Sequence, residues 1–110
     1  MIKQITKAAG LKIRQTRHQK PQGETYGVYM DAVEAGGADG MNCIRTHDIT
    51  LELYAPNMTA AEAAASAIED ELDARGIPWS KQGWYWLQDE QRYQEVYEFS
   101  YIEKRRINHG

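Results

Sequence analysis

Ile49-Thr-Leu-Glu-Leu-Tyr54, then Pro56, then Thr59-Ala-Ala-Glu-Ala-Ala-Ala-Ser-Ala-Ile68 onward to Gly76-Ile-Pro78, is where the hydrophobic repeat changes character. Up to Tyr54 the repeat is two: Ile49, Leu51 and Leu53 alternate with Thr50, Glu52 and Tyr54, the pattern of a half-buried strand with one wet face. Beyond Pro56 it becomes about 3.6, because Ala61, Ala64, Ala65, Ile68 and Leu72 fall on one helical stripe while Glu62, Glu69, Asp70 and Asp73 take the other side. A helix is therefore expected over about residues 60–75. Thr59 reads as its N-cap and Glu62 completes a capping box. Gly76 stands where a left-handed residue closes a helix, and Pro78 forbids continuation. The small residues on the stripe suit close packing on a sheet.

Working outward, Ile2 to Ala9 gives a short helix with Ile2, Ile5 and Ala9 on one face, ended by Gly10. Residues 11–18 add an edge strand before a loop at Gln19–Gly23. Tyr26-Gly-Val-Tyr-Met30 alternates as a strand, and the strand that carries Ile49 covers 42–55. Between them Glu34-Ala-Gly-Gly-Ala-Asp-Gly40 reads as a mobile hairpin loop with no apolar anchor. Gly83-Trp-Tyr-Trp-Leu87 and Tyr93–Ile102 form a second strand pair around the turn Gln88–Arg92. The expected fold is α+β in two layers: an antiparallel sheet of four to five strands with two helices packed on one face.

Composition excludes several classes. Thirteen Lys and Arg stand against sixteen Asp and Glu, a net charge of −3, which argues against nucleic-acid binding through a general basic footprint. At 12.6 kDa the folded surface scales to about 6,200 Å² against about 18,000 Å² extended, enough for a real core in one domain. Cys43 is the only cysteine, so no internal disulfide forms and a reducing compartment fits. No signal peptide or membrane span is read, and synthesis in the cytoplasm is the expectation.

Chemistry is sparse. His18, His47 and His109 lack a second ligand at zinc spacing. His47 beside Asp48 reads as a strand histidine near a surface aspartate, since strand neighbours point to opposite faces. Cys43 and His47, four residues apart, sit roughly 13 Å from one another along a strand, so Cys43 reads as a small buried hydrophobe. The glycine loop joins strand to strand and lacks a P-loop lysine. Glu69, Asp70, Glu71 and Asp73 read as a solvated helix face. Eleven aromatics are present, seven of them between Trp84 and Tyr101. One helix layer cannot cover both faces of that strand pair, so Tyr85 or a tryptophan is left for another surface; core and interface readings both stand. Lys104-Arg-Arg106 reads as a solvated basic end. No catalytic, metal or cofactor residues are assigned.

Several segments together carry a resemblance: Gln19-Lys-Pro-Gln-Gly23 leading into Tyr26–Met30, the Gly/Asp-rich loop, Ile49–Tyr54, Ala74-Arg-Gly-Ile-Pro78, Trp84-Tyr-Trp86 and Tyr97-Glu-Phe-Ser-Tyr101. Taken together they resemble the small tail-completion or tail-terminator proteins of long-tailed bacteriophages and prophages, over nearly the whole chain. The resemblance implies a non-enzymatic structural protein made in the host cytoplasm. It would form a ring, commonly hexameric, at the head-proximal end of the tail in the virion. Its implied partners are other copies of itself, the tail tube protein and a head-completion or connector protein, with no sequence-specific nucleic acid and no membrane. An acidic surface suits a ring through which DNA must slide. The family supplies no motif residues, so the expected interface rests on this sequence alone: Glu34, Gly36, Gly37, Asp39, Gly40, Met41, Tyr85, Trp86, Lys104, Arg105 and Arg106. The alternatives are a head–tail connector or neck subunit, and a host ligand-binding or regulatory α+β domain acting as a dimer.

Overall fold

The computed structural model describes residues 2–8, 12–14, 25–36 and 42–106. In chain order the elements are α1 (Ile2–Ala8), β1 (Lys12–Arg14), β2 (Tyr26–Gly36), β3 (Asn42–Ala55), α2 (Met58–Ala74), β4 (Trp79–Lys81), β5 (Tyr85–Leu87) and β6 (Arg92–Arg106). The fold is α+β. The sheet runs β1-β2-β3-β6-β4, and β5 joins the same edge of β6 as β4. All pairings are antiparallel except β1 with β2, which is parallel, a departure from the purely antiparallel expectation. The three-residue β4 was not foreseen: Trp79-Ser-Lys81 is too short to show a period.

The alternation that defined β3 decides the layers. Ile49, Leu51 and Leu53 point to the helix side, where Tyr29 on β2 and Tyr97 and Phe99 on β6 lie level with them. Ile68 and Leu72 of α2 and Ile2 and Ile5 of α1 close over this row to make the main core. On the other face Tyr26, Val28 and Tyr54 form a second buried cluster, with the tyrosine rings stacked at 4.9 Å.

The helix boundaries correct the sequence reading at one end and support it at the other. Asn57, not Thr59, is the N-cap: its Oδ1 accepts from the Ala60 N–H at 2.8 Å. Thr59 thus lies inside the first turn, and no capping box forms with Glu62. At the far end Gly76 has φ +69°, the Gly76 N–H bonds to the Asp73 carbonyl and the Ile77 N–H to the Leu72 carbonyl. These are the two crossed bonds of a Schellman closure, with Ile77 buried as its apolar partner.

The acidic face of α2 is a fastening rather than a purely solvated face. Glu69 accepts from the Tyr97 hydroxyl at 2.5 Å and from Lys81 Nζ at 2.8 Å, and Asp73 accepts from the Trp79 indole at 2.8 Å. Burial, and then the hydrogen bond to Glu69, push the Tyr97 phenol far above its ordinary value. Glu95, fully buried on β6, accepts from the Gly83 N–H and so ties down the link between β4 and β5. Its second oxygen, Oε2, has no hydrogen-bond partner.

Candidate functional site

The strands outrun the helix that covers them. Seventeen residues of α2 span about 26 Å, whereas fourteen residues of β3 span about 48 Å. Half of the sheet therefore projects as an arm of three strands: the second half of β2, the first half of β3 and the second half of β6. Along β2 burial stops at Tyr29, and Ala32 to Gly36 are exposed.

Two sequence expectations change here. Glu34, Ala35 and Gly36 are not loop: they continue β2, with Gly36 opposite Ile44. Lys104, Arg105 and Arg106 are not a tail: they continue β6, opposite Ile44, Cys43 and Asn42. Both extensions have one cause. A strand flanked by an already formed neighbour satisfies its backbone groups by running on, whatever its side chains. Gly37, Asp39, Gly40 and Met41, with His18 and His109, lie outside the described residues.

At the root of the arm His47 sits in a clamp. Its Nδ1 lies 2.9 Å from Asp31 Oδ2 on β2, and its Nε2 lies 3.2 Å from Glu103 Oε1 on β6. The ring stacks on Tyr101 at 4.6 Å and 8°. Burial alone would lower the imidazole pKa, but the bonds to Asp31 and Glu103 and their charges outweigh it, so the pKa is raised above 6.5. Burial, and then the same carboxylates, also raise the Tyr101 phenol. With a carboxylate at each nitrogen the ring bridges three strands, and the arrangement favours its protonated form. A groove of about 650 Å³ lies beside it, between α1 and the arm, lined by Lys3, Tyr29, Arg45, His47, Tyr101 and Glu103 among others.

Asp48, the neighbour considered from sequence, points to the opposite face and accepts from Ser100 Oγ at 2.5 Å. Cys43 lies on β3 four residues from His47 with unbroken one-to-one pairing opposite β6, so no bulge brings the two together. Tyr85 and Trp86 are exposed, at 56% and 43%, on β5 at the opposite end of β6 from Lys104–Arg106. Those of the expected interface residues that are described therefore fall into two separate regions. Sequence reading missed Asp31 and Glu103; the period-two pattern places both on the His47 face once the register is known.

Among the described residues no group of three His, Cys, Asp or Glu side chains is placed to hold a metal ion. Among them no helix is long and apolar enough to cross a membrane. No family model matches the chain. No curated protein matches it either. Among solved structures it is similar to a chain of the "Virion of native gene transfer agent (GTA) particle", with a TM-score of 0.59 and 16% identity. The match covers 87% of this chain and 81% of that one. The likeness is one of fold.

Proposed function

We propose that this chain is a structural subunit of a tailed, phage-like particle. On this reading the chain is a single tail-terminator-like domain that forms a ring with other copies, caps the head-proximal end of the tail tube and joins tail to head. The observation that carries the reading is the projecting arm. Three strands extend beyond the helix layer, and Met30, Val33 and Ile102 stand 50–61% exposed on them. A free monomer gains nothing from such surface, whereas a subunit that packs against neighbours does. The fold shared with a virion chain supports the same reading, as do the segments that resemble tail-completion proteins. The His47 clamp fits it too, because a ring subunit needs a stiff arm and no catalytic group.

The test is deletion of the gene in a particle-producing strain, followed by electron microscopy. Filled heads accompanied by separate tails of uncontrolled length are expected. Normal joined particles in the deletion strain contradict the reading.

A further inference from the structure

Among the described residues the arm has two bare edges. β1 pairs with β2 only at Tyr26–Val28, and β4 and β5 pair with β6 no further than Phe99. Among the described residues, then, β2 beyond Val28 and β6 beyond Phe99 each turn one row of backbone N–H and C=O groups away from the sheet. Open edges of this length are templates for pairing, and proteins that stay monomeric cover or disrupt them.

The two edges are unlike, and they match each other. The β2 edge carries acid alone, Asp31 and Glu34, whereas β6 beyond Phe99 carries Glu103, which is engaged by His47, and then Lys104-Arg105-Arg106. Six large apolar side chains are exposed among the described residues, and three of them, Met30, Val33 and Ile102, are on these two edge strands. The strands also run in the same direction, since each is antiparallel to β3.

We propose that copies of this chain assemble edge to edge, with Ala32–Gly36 of one copy pairing in parallel with Ser100–Lys104 of the next. The inference deepens the ring reading above and rests on it. Such a contact is head-to-tail, joining two different surfaces, so each copy keeps one edge free for the next until the rotation closes. The proposed alignment continues the registers of the sheet into the next copy. Val33 is opposite His47 and His47 is opposite Tyr101, so repeating the sheet order sets Val33 of one copy beside Tyr101 of its neighbour. A β-branched side chain against an aromatic ring is a favourable cross-strand pair. On the other face Glu34 comes level with Ile102, and Lys104 follows two residues on. Because β1 and β4 fill the edges at the base, pairing is confined to the arms. The helix-bearing bases splay apart, as copies turned about a common axis do.

The test uses Ala32→Cys and Ser100→Cys, which the same register sets level with one another, separately and together, with the wild-type chain controlling for Cys43 on the inner strand. Particles assembled with each variant are purified and treated with a short bismaleimide. The double variant is expected to give a ladder of covalent multimers and each single variant none. A dimer from either single variant means like edges meet, and overturns the proposal. Particles that contain the double variant without a ladder overturn it too, while leaving the virion reading intact. If particles lack the chain, the virion reading fails, and the same treatment of the purified protein decides the edge contact by ladder or none. Charge exchange is the second arm. Glu34→Lys and Lys104→Glu should each abolish the ladder in the cysteine background at unchanged melting temperature, and the pair together should restore it. Failure of the pair to restore it, or a ladder indifferent to both changes, counts against the contact.

Discussion

His47 and Asp31 lie 2.9 Å apart across the β2–β3 pair, diagonal neighbours on the helix-side face where the covered sheet becomes the free arm. The sign of the resulting pH dependence follows from the raised imidazole pKa. A raised folded-state pKa means stabilisation that is fully present below the unfolded value of about 6.5 and is lost as pH rises through the folded one. Asp31, Glu103, Arg45 and the Tyr101 phenol surround the ring, with Lys3 of α1 on the same groove. His47→Gln should lower stability by about 1 kcal/mol at pH 6. The gap should narrow as pH rises through the raised folded-state pKa, as read from urea midpoints between pH 6 and 9. A constant difference across that range would assign His47 to packing alone.

Tyr97 and Glu69 join the sheet to α2. Removing the hydroxyl in Tyr97→Phe deletes a hydrogen bond to a charged acceptor and should cost about 1.5–3 kcal/mol. Because Glu69 also holds Lys81, Glu69→Gln and Lys81→Ala should couple in a double-mutant cycle on the same urea assay.

Glu95 ties the link between β4 and β5 to β6 through one oxygen only. Its Oε1 serves the Gly83 N–H while Oε2 is buried without a partner. Glu95→Gln keeps the acceptor for the Gly83 N–H at nearly the same volume, so its unfolding midpoint should fall far less than that of the truncation to alanine. Glu95→Ala orphans the Gly83 N–H and opens a void, for a loss of about 2–4 kcal/mol.

Gly76 isolates backbone strain from packing. A Cβ there meets nothing within 4 Å, yet φ is +69°. Gly76→Ala should therefore cost about 1 kcal/mol through conformation alone. Thermal melting checks this, and a neutral result would mean that the closure of α2 tolerates a shift.

Much of the fold was legible where one residue's chemistry settles a local question. Gly76 ends α2 because few other residues take its φ, and the alternation at Ile49, Leu51 and Leu53 fixes the buried face of β3. Thr59 misled because Asn57, two residues earlier, is an equally good cap and follows Pro56 directly. The arm was less visible for a different reason. Gly36 and the charges at 104–106 have no strand preference of their own, and they enter the sheet because β3 offers them a paired neighbour. The clamp was hidden by distance: Asp31 and Glu103 lie 16 and 56 positions from His47 and meet it through register alone. The same holds for Glu69 and Asp73, whose partners Tyr97, Lys81 and Trp79 belong to strands.

The central claim is a place in a particle, and labelling tests it most directly. Gold-conjugated antibody against this chain, imaged on purified intact particles by electron microscopy, should mark one position per particle, at the junction of head and tail. Label along the length of the tail, at its far tip, or absent from particles altogether would contradict the account.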